Sequence, residues 1–361
     1  MSPHLWLRAE TRASEARTGL MPAGAAALRA RGFRVTVEQS EMRALPDADY
    51  RRAGCEMVPA GDWRSAPPDA LVLGLKELPD DGAPLRHRHI LFGHAFKGQA
   101  GAGKLLGRFR AGGGVLYDIE SLVDDDGRRV AAFGYWAGYA GAAVALMAFA
   151  AQARGGIAGP LARFPDRATL IRGLRAALPA RPPRAIVIGA LGRVGRGAAD
   201  LCAEAGVPVT GWDIAETAHG GPFPEILAHE ILLNCILARP GTPAFVAADA
   251  GSVPRALRVV GDIACDPDAP YSPIRVNDRI TGWEQPARRV HEAPPLDVVA
   301  IDNLPALMPE EASADFAAQF LPHLHTLDRI EEGVWARARA AFERHAPPAG
   351  PTAQPAPWLR S

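Results

Sequence analysis

An apolar strand that runs straight into a glycine-rich turn and then a helix leaves a chain few folds to choose from. Arg184–Ile188 (RAIVI) reads as a buried strand, and Gly189-Ala190-Leu191-Gly192-Arg193-Val194-Gly195 follows it at once. A helix over Gly197–Ala205 ends at Gly206, and the next strand, Pro208–Trp212, leads into Asp213, roughly twenty residues past the first glycine. Glycines let such a turn pass close to a pyrophosphate, and the helix N-terminus offers free N–H groups to it. A carboxylate at Asp213 accepts hydrogen bonds from adenine-ribose hydroxyls and repels a 2′-phosphate. No arginine follows it directly (Asp213-Ile214-Ala215-Glu216), so NAD is expected over NADP. The spacing is G-x-x-G-x-x-G rather than G-x-G, so the strand, helix and acid around the glycines carry the assignment against a loop that binds nothing.

The rest of the chain alternates in the same way. Strands are predicted at His4–Arg8, Phe33–Glu38, Ala70–Leu75, His89–Gly93, Gly114–Tyr117, Ile231–Cys235 and Leu257–Asp262. Helices are predicted at Met21–Arg31, Ala168–Leu178, Glu310–Phe320 and Val334–His345, and Arg279–His291 reads as irregular. Strand–helix repetition at this spacing predicts α/β layers with parallel strands. Ala131–Ala153 carries no charge and contains Gly134-x-x-x-Gly138, a pattern seen in membrane helix pairs. It is mostly Ala and Gly and has arginine on both flanks, so a buried, closely packed helix is the better expectation. The tail from Pro347 is Pro- and Ala-rich, a composition expected to be disordered.

Composition narrows the function classes. With 361 residues at about 150 per domain, two domains are expected. The 40 Lys+Arg balance 40 Asp+Glu, which argues against nucleic acid or an anionic membrane as partner. The four cysteines (Cys55, Cys202, Cys235, Cys265) show no paired spacing, so neither a disulfide scaffold nor a metal site is expected. The chain opens with charge and no apolar export segment, which points to the cytoplasm.

The positive charge is almost all arginine. The only lysines are Lys76, Lys97 and Lys104, within one short window. An ammonium can lose its proton near neutral pH when desolvated and a guanidinium cannot, so the cluster reads either as a use of that property or as chance in an Arg- and Ala-rich composition. Lys76-Glu77 follows one predicted strand; His94 and Lys97 follow another. Loops at strand carboxyl ends are where open α/β sheets put ligands, so an acid/base pair near a nicotinamide site is suggested. Arg8, Glu10, Arg12, Glu15 and Arg17 form a dense charged run after the first strand, which taken alone reads as a solvated loop.

Longer segments carry a resemblance. LRAETRASEAR (7–17), PAGDWRSAPPDALVLGLKELP (59–79), GHAFKGQAG (93–101) and LYDIESLVDDDGRRVAAFGYWAGYAGAA (116–143) resemble the fungal-type, lysine-forming, NAD-dependent saccharopine dehydrogenases. So do IGALGRVGRGAADL (188–201), WDIAETAHGGPF (212–223) and IDNLPALMPEEAS (301–313), in the family's order. The first segment is also similar to alanine dehydrogenases and the transhydrogenase NAD-binding subunit. The resemblance implies oxidative deamination of saccharopine to lysine and 2-oxoglutarate, with hydride passing to NAD and hydrolysis of the imine, in lysine biosynthesis. It implies Lys76 as the base that takes the proton from the secondary amine and His94 as the acid/base for water addition and carbinolamine collapse, with Glu77 and Glu120 moderating the effect of nearby cations. It further implies Arg17, Lys97, Gln99, Arg128 and Phe133 at the substrate. Arg129, Gly189, Gly192, Arg193, Gly195, Asp213, Thr217, Asp302, Asn303 and Leu304 are implied at the cofactor. Val194 stands where fungal members have Cys, Leu237 where a Tyr is common, and the last residues lack an S-K-L peroxisomal address.

The expected fold is two Rossmann-like domains with parallel sheets flanking a central cleft that closes on ligand. Residues 1–132 plus 311–361 form the catalytic domain, and 133–310, opened by the small-residue helix, the NAD-binding domain. The chain is expected to be a monomer or weak oligomer acting on a small molecule. Two rival functions are an alanine dehydrogenase-like action on a primary amine and an NAD-sensing protein without activity. The cationic set Arg17, Lys97, Arg128 and Arg129 exceeds what a small amino acid needs, and a sensor has no use for Lys76 and His94.

Overall fold

In a computed structural model, residues 2–99 and 101–346 are described, and the tail from Pro347 lies outside them. The chain divides into two compact units, one made of residues through Ala132 and from Pro309 onward, the other of Phe133–Met308.

The first unit is built on β1 (His4–Leu7), β2 (Arg34–Glu38), β3 (Glu56–Val58), β4 (Leu71–Leu73), β5 (Arg88–Leu91) and β6 (Val115–Asp118). They form one sheet in the order β3-β2-β1-β4-β5-β6, every pair parallel. Parallel pairing forces a crossover between strands, so all six carboxyl ends lie on one edge. The chain reverses its winding between β1 and β4, and this is the switch point where open α/β sheets bind ligands. Helices α1 (Pro22–Ala30), α2 (Asp47–Arg52) and α3 (Ala102–Gly112) make the crossovers. The core gathers Trp6, Val72, Leu91, Phe109 and Leu116 around the sheet.

The second unit opens with α4 (Gly134–Ala153), α5 (Arg167–Ala177), β7 (Ala185–Ile188) and α6 (Arg193–Ala205). Then come β8 (Val209–Trp212), α7 (Ile214–Thr217), α8 (Pro224–Leu227), β9 (Ile231–Asn234), β10 (Val259–Asp262), β11 (Arg288–Glu292) and β12 (Pro295–Val299). The strand order is β11-β12-β10-β9-β7-β8, with every pair parallel except β11 against β12. Two sequence expectations are corrected here. The stretch 279–291 is not irregular throughout, because Arg288–Glu292 is an edge strand whose side chains are half-buried or exposed and therefore polar. The sheet is accordingly not wholly parallel; a β11–β12 hairpin closes its edge. The chain then returns to the first unit through α9 (Pro309–Leu324) and α10 (Gly333–His345). There α10 lies on β6 and adds Phe342 to the core, and the Thr18 N–H donates to the Ser313 hydroxyl of α9 at 2.9 Å.

The uncharged helix α4 is buried along most of its length, as its small residues imply. It crosses α6 with almost no side chain between the two backbones. A Cβ on Gly138 would overlap the Val194 carbonyl oxygen, and one on Gly197 would overlap the carbonyl oxygen of Tyr135. Each partner is rigid backbone, so neither glycine tolerates a methyl without shifting a helix. Gly138→Ala is expected to lower unfolding free energy by about 1–3 kcal/mol despite alanine's better helix propensity. Urea titration checks this; an unchanged midpoint would contradict the close crossing.

Candidate functional site

Loops leave the carboxyl edge of the first sheet side by side, and three carboxylates tie five of them down. Glu38, fully buried at the end of β2, accepts from the Trp6 indole N–H at 3.1 Å and from three main-chain N–H groups. These are Trp63 at 2.6 Å, Ala9 at 2.9 Å and Gly61 at 3.0 Å. A buried carboxylate so supplied has its acceptor positions filled without an ion pair. Glu10 accepts from the N–H groups of Leu75 and Lys76, at 2.7 and 3.0 Å. Asp118, at the end of β6, accepts from the Glu120 N–H at 2.9 Å and from Gly93. Burial raises the Asp118 carboxyl above its ordinary value, against the pull of those two N–H groups.

These ties set the candidate catalytic residues. Lys76 is half-buried two residues past Gly74, and the Phe92 N–H donates to the Leu75 carbonyl at 3.1 Å. The loops that carry Lys76 and His94 therefore leave adjacent strands in register. His94 has φ 47°, a left-handed conformation that costs a non-glycine residue about 1 kcal/mol or more. Such strain persists only where the surroundings impose it; here Gly93 is pinned to Asp118 on one side and Ala95 is buried on the other.

Glu120 gathers the cations of this edge. Its carboxylate, 15% exposed, faces Lys97 Nζ at 3.2 Å, Arg129 at 3.4 Å and His94 Nδ1 at 3.8 Å. Burial pushes this carboxyl up, but Arg129, Lys97 and His94 together hold it below the ordinary glutamate value. Gln99 accepts from the Lys97 N–H at 2.8 Å and so shapes the same loop. Arg128 is exposed and pairs with Asp126 at 3.3 Å.

The charged run 8–17 is not the solvated loop that its composition suggests. Arg8, Glu15 and Arg17 are buried, and Arg12 stays exposed. Arg17 donates to Glu15 through Nε at 2.8 Å and Nη2 at 2.6 Å. Burial raises the Glu15 carboxyl, and the Arg17 hydrogen bonds, with a smaller contribution from the charge of Lys76, bring it below its ordinary value. A run of alternating charges turns inward here because each buried guanidinium has a carboxylate two residues away.

The second unit carries the other candidates at the carboxyl edge of its own sheet. Gly189 has φ 86°, Gly192 precedes α6 without a side-chain cap, and a Cβ on Gly195 would overlap the Gly189 carbonyl oxygen. The helix thus begins at Arg193, inside the glycine motif rather than at Gly197, and its first turn is left to a ligand. Asp213 ends β8 and accepts from the Leu191 N–H at 3.1 Å, which brings its carboxylate to the glycine turn. It also caps α7 in a reciprocal arrangement with Glu216, and Thr217 Oγ1 donates to the Asp213 carbonyl at 3.1 Å. Asp302, Asn303 and Leu304 follow β12 at the same edge; Asn303 is left-handed at φ 66° and Leu304 is buried. Phe133 stands at the N-terminus of α4. A bare helix start, a turn without Cβ atoms and an acid beside it fit a dinucleotide.

Sequence reasoning passed over Arg8, Glu10 and Glu38 as site-forming residues. Their one signal is an acid or a cation at or just after the end of a parallel strand. Among the cysteines, burial raises the Cys202 thiol to about 12 and the Cys235 thiol further, so neither offers a thiolate at neutral pH.

The chain is similar to known proteins along nearly its whole length. Residues 6–140 match the family described as the alanine dehydrogenase/PNT N-terminal domain. A saccharopine dehydrogenase (NAD(+), L-lysine-forming) from Schizosaccharomyces pombe is 44% identical, over 95% of this chain and 98% of the relative. One of the same description from Candida glabrata is 42% identical, over 96% of this chain and 97% of the relative. Among solved structures, an L-alanine dehydrogenase superposes with TM-score 0.66 at 17% identity, over 95% of this chain and 94% of its own, a likeness of fold.

Glu15 and Glu120 both have folded values below the unfolded one, so each stabilises the fold above the ordinary glutamate range. That contribution is lost as pH falls through the lowered folded value. Glu120→Gln is therefore expected to shrink the difference in unfolding free energy between about pH 6 and about pH 3. Denaturant titrations at the two pH values measure it; an unchanged difference would remove Glu120 from the ion cluster.

Proposed function

The chain belongs to the family of NAD-dependent, L-lysine-forming saccharopine dehydrogenases, and from that premise we propose that it oxidises saccharopine to lysine and 2-oxoglutarate with NAD. The observation that carries this is identity above 40% along nearly the whole length of relatives so described. Bound NAD supplies the hydride acceptor. The glycine turn and the start of α6 would hold its pyrophosphate and Asp213 its adenine ribose.

The remaining chemistry falls to the first unit. Lys76 takes the proton from the secondary amine as the imine forms. His94 removes a proton from water as it adds to the imine carbon, and returns it as the carbinolamine collapses to amine and oxo acid. Glu120 faces Arg129, Lys97 and His94 within 4 Å and so holds these three side chains about one carboxylate. Lys97, Arg17 and Arg128 bind substrate carboxylates. Arg17 does so from within its pair with Glu15, so its guanidinium is oriented before substrate arrives.

Mixing the protein with saccharopine and NAD is expected to raise absorbance at 340 nm, and Lys76→Met is expected to abolish most of that rise while NAD still binds. NADH from alanine and none from saccharopine would overturn the assignment in favour of a primary-amine dehydrogenase. Asp213→Ala is expected to raise the KM for NAD about 10- to 100-fold, since it removes hydrogen bonds from a charged acceptor worth about 1.5–3 kcal/mol. It should also narrow the preference over NADP. A KM for NAD unchanged by this substitution would place the ribose elsewhere.

A further inference from the structure

The backbone of Lys76 is gripped from both sides by a buried ion pair that belongs to another strand. Arg8, its side chain 1% exposed, lies 3.2 Å from Glu10. Its Nη2 donates to the Lys76 carbonyl and, at 3.4 Å, to that of Glu77, while Nη1 donates to the Ala9 carbonyl at 3.0 Å. Glu10 accepts from the Lys76 N–H at 3.0 Å and the Leu75 N–H at 2.7 Å. The guanidinium reaches the carbonyls by passing over Gly74, where any Cβ would collide with Arg8 Nε and Cζ.

The N–H and the carbonyl of one residue sit in two different peptide planes. Holding both fixes φ and ψ at that residue, and with them the direction of its Cα–Cβ bond. A buried ion pair is a poor way to gain stability, because desolvating two charges offsets most of their attraction. A neutral turn would join these loops at less cost. What the charged pair adds is direction: a rigid guanidinium fork for carbonyls and a carboxylate for N–H groups, both closing on residue 76.

We propose that Arg8 and Glu10 are positioning residues for Lys76, setting the path along which its ammonium leaves the sheet. The catalytic consequence rests on the reaction proposed above. A displacement of about 1 Å in a reacting group costs up to about 100-fold in rate.

The lysine-poor composition makes the test direct. The three lysines give three sets of dimethylamine signals after reductive methylation with ¹³C-formaldehyde, beside that of the α-amino group, with the Lys76 set assigned from Lys76→Arg. Glu10→Gln keeps the side chain's shape but presents an N–H₂ group where one N–H was received. Arg8→Gln loses the charge and the fork without adding an amine, and serves if the first variant does not fold. In either variant the Lys76 signal is expected to move or broaden, while those of Lys97 and Lys104 stay in place. The kcat for saccharopine is expected to fall about 10- to 100-fold. The KM for NAD and the pKa of the basic limb of the pH–rate profile should remain as in the parent. An unmoved Lys76 signal, movement of all three signals together, or an unchanged kcat would overturn the proposal. Failure of the parent to oxidise saccharopine would instead sink the proposed reaction, and the spectra would still decide whether Arg8 and Glu10 hold Lys76.

Discussion

A parallel sheet ends every strand on one edge, and at that edge the main chain runs out of partners. Beyond the last ladder bond each strand leaves N–H groups facing a neighbour that has already turned away. The first unit fills this gap with carboxylates. Glu38 takes four donors, Glu10 two and Asp118 two, nearly all from loops rather than from ladders. Each acid accepts from at least one strand other than its own. The edge is therefore a network of fixed loops, two of which carry Lys76 and His94 from adjacent strands.

The same choice sets the electrostatics. Carboxylates buried for structural reasons bring negative charge to the edge, and cations follow. Arg8 answers Glu10, Arg17 answers Glu15, and Lys97 and Arg129 answer Glu120. Glu120 stands within 4 Å of His94 as well, so one carboxylate gathers the imidazole and both cations.

Much of this was legible in the sequence, for identifiable reasons. The strand–glycine–helix–acid series from 184 to 213 is a local pattern, and the structure places its parts where local rules require. Lys76 and His94 are legible because each follows a short apolar run, and such runs become neighbouring parallel strands. The buried fate of Arg8, Glu10, Glu15 and Arg17 is not local. A charged run looks the same whether water or carboxylates satisfy it, and the distinguishing partners of Arg8 lie almost seventy residues away. The strand at Arg288–Glu292 was illegible for a related reason: an edge strand with little buried surface has no apolar face to show.

The glycine series also does more than its spacing suggests. Gly189 supplies a left-handed turn, and Gly195 lets α6 begin against that turn without a Cβ between them. Two residues further on, Gly197 faces the other way and receives the backbone of α4 at Tyr135, while Gly138 of α4 receives the carbonyl of Val194. The start of α6 is therefore pressed between a turn and a helix, with a missing methyl on each side. Two close contacts on opposed faces fix the axis of α6, and with it the direction in which its first N–H groups point. A dinucleotide-binding turn needs glycine where phosphate approaches; the additional glycines in α4 and α6 hold the helix still enough for that approach to be productive. That explains why the uncharged helix is mostly Ala and Gly: its sequence is set by how closely α6 must pass.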